Sequence, residues 1–389
     1  MLDCVSSTLP YDSQNILLVA GETSGDILAA HLLQGLREHG CAAHVWGIGG
    51  PQLASQGMEC VASIDALAVR GYAEVLGALP RLWHLRKSLL SKAASRKPSV
   101  CITVDAPDFN LALAGKMKAF GVPTLHFISP SIWAWRRERM AGIKAAVDQM
   151  LCVFPFEADL YQTAGVPATY VGHPMAQTVP LHPNKAAARA KLGIDQATPL
   201  IALLPGSRAA EIKFILPRLL GAALKMQQKN AALQFVLPIA SDALRQQVAM
   251  CIQDEKAQSL VIHCLQSQAN LAYEAADVGI IASGTATLEA ALYKLPMVIT
   301  YAMPVSSWMM MGHKGYLPWV GLPNILCGEW VVPELLQVAA TPQALADAAL
   351  LLLDAPQKRE AIAARFNDLH QRLRCDTQAL AARAVIRML

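Results

Sequence analysis

No run of 18 consecutive apolar residues occurs in this chain of 389 residues, so no helix long enough to cross a bilayer is expected. Charge is also scarce. Asp, Glu, Lys and Arg make up 16% of residues against 54% hydrophobic, and mean hydropathy is +0.32. Large buried sheets explain part of that oiliness, and contact with a membrane surface or lipid would explain the rest. The charges nearly cancel, 33 Lys+Arg against 29 Asp+Glu, and a net +4 is too mild for nucleic acid to be the main partner, although it suits an anionic surface. The nine cysteines, at 4, 41, 60, 101, 152, 251, 264, 327 and 375, are odd in number and include no C-x-x-C pair. They read as buried free thiols in a reducing compartment. The ten histidines show no H-E-x-x-H or other metal-ligand spacing, so neither a metal nor a cofactor is expected. Neither G-x-G-x-x-G nor G-x-x-x-x-G-K-[ST] occurs, which sets aside the dinucleotide fingerprint and the P-loop. The opening MLDCVSSTLPYDSQN has no basic start and no long apolar core; it is expected to be a disordered lead, not a secretory signal.

What the chain does have is alternation, at a length that calls for two domains. Short apolar runs at 15–20, 44–46, 99–104, 122–128 and 148–154 read as strands, with helical patterns between them. Pro180, Pro183 and Asn184 mark a linker after Gly172-His173-Pro174, and the pattern then restarts with strands at 200–204, 233–237, 259–264, 277–282 and 296–301. Strand, loop and helix in repetition mean parallel sheet, so the expected fold is α/β, two Rossmann-like domains facing a cleft. The closing helices, 342–354 and 356–388, are rich in Ala and Leu, and the last is expected to cross back to the first domain.

The stretch LIALLPGSRAAEI at 200–212 is the most telling. An apolar strand meets Pro205-Gly206-Ser207-Arg208 and a helix begins near Ala209. Such a turn lies at the carboxyl end of a strand, where ligands bind in open α/β sheets, and free N–H groups at the helix start favour an anion. Gly206 allows close backbone approach, Ser207 offers a hydroxyl, and Arg208 offers a fork matched to phosphate. The loop reads as a diphosphate cradle; the alternative is an ordinary turn with a surface arginine.

Asp105 ends another strand and is followed by Ala106-Pro107-Asp108. Proline keeps its predecessor extended, so Asp105 is expected to point into the crevice as a general base while Asp108 caps the next helix; a structural aspartate is the alternative for Asp105. Gly284-Thr285 opens a helix on which Glu289 lies one turn further along the same face. There Glu289 would meet the ribose hydroxyls of a nucleoside diphosphate, or remain a solvated helix residue. Asn324 either bonds a ligand or caps its turn, and Ser24 and Asp26, in the Gly-rich loop 21–26, either face a ligand or cap the first helix.

Residues 65–97 combine apolar bulk with Arg70, Arg81, Arg86, Lys87, Lys92, Arg96 and Lys97. Leu82, Leu85 and Leu89 form a helical stripe expected in the core. Leu76, Leu79 and Trp83 fall off it and would face a membrane; internal packing or a subunit contact is the alternative. Residues 130–137, PSIWAWRR, set two tryptophans before an arginine pair.

Taken together, GETSGD at 21–26, DAPDFN at 105–110, SPSIWAWR at 129–136, LLPGSRAAE at 203–211, SGTATLE at 283–289 and LPNILCG at 322–328 resemble the lipid-A-disaccharide synthase family, in order and spacing from about residue 15 to the end. The resemblance implies a GT-B fold with domains at 1–178 and 179–365 and a C-terminal helix, 366–389, packing back on the first. It implies inverting, metal-independent transfer of 2,3-diacylglucosamine from its UDP ester to 2,3-diacylglucosamine 1-phosphate, giving a β-1,6 disaccharide 1-phosphate and UDP. On matching positions Asp105 would be the base. Gly206, Ser207, Arg208, Gly284, Thr285, Glu289 and Asn324 would serve the donor, and Ser24 and Asp26 the acceptor. With the basic and apolar segment 65–97, a cytoplasmic protein held peripherally on the inner membrane is expected, and a homodimer is its candidate assembly. The lead before Asn15 and Gln177, where an acidic residue is expected, depart from the family pattern. The rival readings are a UDP-N-acetylglucosamine 2-epimerase and a non-catalytic UDP-sugar binding module.

Overall fold

The computed structural model describes residues 14–67, 72–305, 308–309 and 316–389. The lead before residue 14 and Arg70 lie outside them. The chain folds as two units, one made of residues up to Pro174 together with Leu373–Leu389, the other of Met175–Arg372.

In the first unit seven strands run parallel: β1 (Asn15–Ala20), β2 (His44–Gly49), β3 (Glu59–Ser63), β4 (Val100–Val104), β5 (Thr124–Phe127), β6 (Gln149–Cys152) and β7 (Ala168–Tyr170), in the order β3-β2-β1-β4-β5-β6-β7. The central strands are almost wholly buried and apolar, as a sheet covered on both faces requires. Order reverses between β1 and β4, which pair in register from Ile16↔Val100 to Ala20↔Val104. Ligands of open α/β sheets bind outside the strand ends at such a switch point.

The second unit repeats the plan with β8 (Leu200–Leu204), β9 (Gln234–Ile239), β10 (Ile262–Gln266), β11 (Val278–Ala282), β12 (Met297–Tyr301) and β13 (Glu334–Leu336), in the order β10-β9-β8-β11-β12-β13. Its switch point lies between β8 and β11, where Leu204 pairs with Ile281.

β3, β7 and β13 are short strands without a buried apolar run, at or near the sheet edges, which is why alternation alone passes over them. The single closing helix expected at 356–388 is two, Pro356–Leu373 and Thr377–Ile386, separated by Arg374-Cys375-Asp376. Asp376 accepts the Ala379 amide at 3.0 Å and so starts the second. That last helix packs on the first helix, Thr23–Glu38, closely enough that a Cβ on Gly35 would stand 2.8 Å from Gln378. Gln378 Nε2 donates to Glu38 across the contact at 2.7 Å.

The helix Tyr72–Arg96 buries Leu89 and half-buries Leu82 and Leu85, as its stripe predicts, and leaves Leu79 and Trp83 exposed. The side chain of Leu76 is outside the described residues. No helix among the described residues is long and apolar enough to cross a membrane. The thiol expectation holds only in part: Cys41, Cys101 and Cys152 are buried, whereas Cys60 and Cys264 are exposed because they sit on strands near the sheet edges.

Candidate active site

In the first unit the loops after β1 and β4 touch. Gly21 donates its amide to Val104 O at 3.1 Å, and a Cβ on Gly21 would lie 2.1 Å from the Ala106 methyl, so only glycine fits. Asp105 and Ala106 both stand in the left-handed region, at φ 58° and 40°. Ala106 is therefore not extended, contrary to the usual rule for a residue before proline: packing against Gly21 overrides the local preference. Non-glycine residues rarely hold such angles, and clustered strain of this kind marks sites that the surrounding fold over-determines. Asp105 Oδ1 accepts the Ala106 amide at 2.8 Å, while Asn110 donates to the carbonyls of Val104 and Asp105 at 3.1 and 2.8 Å and braces the turn from below. Asp108 is not the cap. Ala106 holds that position, with Pro107 first in the helix, and the exposed Asp108 carboxylate pairs with Arg139.

Ser24 is exposed beside this turn; the next residue, Gly25, has room for a Cβ only 3.6 Å from the Asp105 Cβ. Asp26 caps neither its own helix nor an open face. It is 1% exposed, and its carboxylate accepts the amides of Gly50, Gln52 and Leu53 at 2.7, 2.9 and 3.3 Å, tying the second Gly-rich loop to the first. The sequence thus brings Ser24, Asp26 and Asp105 to one place, but Asp26 is a fastener there.

In the second unit the loops after β8 and β11 flank the switch point. Gly206 adopts φ 116° and Gly284 φ 152°, angles that side chains hardly allow. The amides of Ser207 and Arg208, expected to be free for an anion, are taken: Glu211 Oε2 accepts them at 2.8 and 3.1 Å. The Arg208 guanidinium is 79% exposed and reaches the other oxygen of Glu211 at 3.2 Å. What this loop offers a diphosphate is therefore the arginine fork and the exposed Ser207 hydroxyl.

Thr285 is exposed at the start of the helix Thr285–Leu292, and Glu289 lies half-buried one turn on. Burial raises the Glu289 carboxyl above the usual range, opposed by the hydrogen bond from the Tyr273 hydroxyl, so this is no solvated helix glutamate. Asn324 is wholly enclosed and fully used. Its Nδ2 donates to Val332 O at 2.9 Å and Glu334 Oε1 at 2.8 Å, and its Oδ1 accepts the amides of Val331 and Val332 at 2.9 and 3.0 Å. Asn324 pins the segment from Leu322 to Glu334 and leaves nothing over for a ligand. Glu334, which no motif marked, also takes the amides of Val320 and Gly321 at 2.8 and 3.0 Å, and Ser283 donates to Val320 O at 3.3 Å. The two acids that set these loops, Glu211 and Glu334, are legible only in part: Glu211 stands at the spacing of a helix-start acceptor, whereas Glu334 sits on a short edge strand.

Comparison with known proteins gives the family and the fold. The family model for lipid-A-disaccharide synthetase matches residues 16–385. The lipid-A-disaccharide synthase of Chromobacterium violaceum is 46% identical over 371 residues, covering 95% of this chain and 96% of its own. That of Albidiferax ferrireducens is 47% identical over 379 residues, covering 96% and 97%. Among solved structures, MurG of Acinetobacter baumannii superimposes with a TM-score of 0.59 at 16% identity, over 96% of this chain and 99% of its own. UDP-GlcNAc 2-epimerase of Neisseria meningitidis, solved with UDP-GlcNAc bound, gives 0.62 at 12% identity over 96% and 99%. At such identities the last two likenesses carry the GT-B fold alone.

Proposed function

The chain belongs to the lipid-A-disaccharide synthase family, and we propose how its two strained loop clusters divide the work of that enzyme. It is a glycosyltransferase that moves 2,3-diacylglucosamine from UDP-2,3-diacylglucosamine to 2,3-diacylglucosamine 1-phosphate, releasing UDP and the β-1,6 disaccharide 1-phosphate. The observation that carries the division is Asp105: a carboxylate held at a switch point by two successive left-handed residues. Asp105 takes the proton of the acceptor hydroxyl. The freed electron pair forms the new bond to the donor's anomeric carbon, and the bond from that carbon to the diphosphate oxygen breaks, leaving its pair on UDP. Attack from the face opposite the leaving group inverts the centre. Arg208 and Ser207 meet the diphosphate, where the forked guanidinium matches two oxygens at once and gains as charge builds on the leaving group. Glu289, kept partly from water, receives the ribose hydroxyls, and Gly284 and Thr285 give the backbone approach to the nucleotide. Ser24 stands at the acceptor side, while Asp26 and Asn324 serve by holding their loops.

Both substrates carry acyl chains, which need an apolar surface beside the site. Leu79 and Trp83, exposed on the helix Tyr72–Arg96 with Arg81 and Lys87, supply it, so the enzyme works peripherally at an anionic membrane face. The competing use of this face is a homodimer contact, in which case serine substitutions would split the dimer and leave vesicle binding unchanged. Product analysis tests the reading as a whole. Mass spectrometry after incubation with the UDP ester should find the disaccharide 1-phosphate and UDP only when the monosaccharide phosphate is present; an epimerised donor, or no product, would contradict it.

A further inference from the structure

The segment between β5 and the helix Met140–Ala146 carries Trp133, Trp135, Arg136 and Arg139, and none of them has a part in the transfer described above. Its path is fixed at two points. The Trp133 indole N–H donates to Glu157 Oε1 at 3.0 Å, and its ring meets Phe154 and Phe156 edge-on, with centroids 6.3 and 5.3 Å away. Glu157 is 1% exposed, and the donors that reach it are neutral: the Trp133 indole, the Phe154 amide at 3.0 Å, the Ser129 hydroxyl and the Val153 backbone. Burying a carboxyl without a cationic partner is costly, so the fold gives up stability to hold this segment in place. At the far end Arg139 pairs with Asp108, in the first turn of the helix that follows Asp105.

Between these anchors the backbone turns at Arg136, whose φ is 71°. The turn lays its guanidinium over the Trp135 ring, 4.2 Å from the centroid, and both residues are exposed. A cation over an aromatic face is held without using up its N–H donors, of which a guanidinium has five. Among the described residues nothing accepts a hydrogen bond from the Arg136 guanidinium or pairs with its charge. Glu138 is the nearest carboxylate in sequence.

We infer that Arg136, stacked on Trp135, receives the 1-phosphate of the acceptor sugar. The inference deepens the transferase reading and rests on it. Its place follows from Asp105, whose amide donates to Phe127 O at 3.0 Å, so the segment leaves the sheet beside the base and returns to it through Asp108 and Arg139. A base acts on the acceptor's hydroxyl, and the segment that carries Arg136 is tied to the strand end and helix on either side of that base, whereas Arg208 lies in the other unit. A phosphomonoester carries a charge of about −1.5 to −2 near neutral pH and suits an exposed guanidinium.

Phospholipid headgroups present the same phosphate chemistry, and the experiment separates the two sources. Initial rates in detergent micelles are compared for 2,3-diacylglucosamine 1-phosphate and its dephosphorylated counterpart, with wild type, Arg136→Asn and Arg136→Lys. Asparagine tolerates the left-handed backbone, so this variant keeps the turn. Wild type should prefer the phosphorylated acceptor. Arg136→Asn should cut that preference, as a ratio of kcat/KM values, by roughly ten- to a hundredfold, the scale of a lost hydrogen bond to a charged group, with donor KM unmoved; Arg136→Lys should restore part of it. An unchanged ratio in Arg136→Asn, or a raised donor KM, would overturn the subsite. So would an unchanged ratio accompanied by lost binding to anionic vesicles, which would assign the pair to the lipid surface. Disaccharide formed by wild type without preference for the phosphate would overturn the subsite alone, whereas no disaccharide from either acceptor would mean that the transferase reading itself has failed.

Discussion

Glu211 fills the seat made by the loop that ends in Arg208: one carboxylate oxygen accepts the amides of Ser207 and Arg208, and the other pairs with the Arg208 guanidinium at 3.2 Å. Gly206 lets it in, since a Cβ there would stand 2.2 Å from Glu211 Oε2. On the proposed reading, in which Arg208 meets the donor, Glu211 is a positioning residue for it. Glu211→Ala should lower stability by about 1 kcal/mol, the usual cost of losing a helix-start acceptor, and raise donor KM several-fold with kcat changed less. Glu211→Gln should be milder, because its amide oxygen still accepts. Denaturant midpoints and kinetics with the donor varied check both; an unstable Glu211→Ala with normal donor KM would reduce Glu211 to a cap.

Arg208 itself is nearly free of the fold. With its side chain 79% exposed, its ion pair adds little to stability, so Arg208→Ala should melt within a degree or two of wild type while kcat/KM for the donor falls by roughly ten- to a hundredfold, as expected for a lost charge-assisted contact. Arg208→Lys should recover only part, since a point charge cannot reproduce the fork. A full rescue by lysine would contradict bidentate recognition.

Burial pushes the Glu157 carboxyl from an ordinary 4.5 up to about 7. Between those values the native chain holds a proton that the unfolded chain has released. The stability linked to this group is therefore complete below about pH 4.5 and lost as pH rises through about 7. His126 and His173, which burial depresses to about 4, act the other way, losing their contribution as pH falls from 6.5 toward 4. The wild-type advantage over Glu157→Gln should consequently narrow by on the order of 2 kcal/mol from about pH 5 to about pH 8. Urea midpoints of both proteins across that range check this, and a constant gap would contradict it.

For the exposed face of the helix Tyr72–Arg96, Leu79→Ser with Trp83→Ser should weaken co-sedimentation with anionic vesicles at least several-fold and leave the fold intact, because both side chains are half exposed already. Apolar burial contributes roughly 25 cal/mol per Å² and each nearby cation about 1 kcal/mol at an anionic leaflet, so binding of wild type should also fall as salt is raised. Equal vesicle binding by the folded variant would sink the membrane role.

Much of this was legible in the sequence, for definite reasons. Buried parallel strands are unbroken apolar runs, so β1, β4, β8 and β11, and hence the loops at both switch points, follow from pattern. Asp105 stands out as the candidate base because it ends such a run. What pattern could not give is the conformation of Ala106, since the contact with Gly21 joins residues 85 positions apart and reverses the rule for residues before proline. Nor could it tell that Asp26 and Asn324 turn inward: a polar residue in a glycine-rich motif looks the same in sequence whether its partners are backbone amides or a ligand. Glu157 was silent for a related reason, lying in a helix start with no neighbouring motif to mark it.

Asp105 is the centre of the account, and its neighbour Asp108 provides the control. Asparagine suits the φ of 58° at Asp105 and keeps the acceptor that the Ala106 amide needs, so Asp105→Asn should fold normally. The measurement is kcat for disaccharide formation by Asp105→Asn and Asp108→Asn under saturating substrates. Asp105→Asn should lose roughly 10² to 10⁴ in rate, the range of a positioned general base, with donor KM little changed, whereas Asp108→Asn, which loosens one anchor of the segment carrying Arg136 and so bears on acceptor KM, should keep kcat within a few-fold of wild type. A nearly active Asp105→Asn beside a dead Asp108→Asn would contradict the assignment of the base.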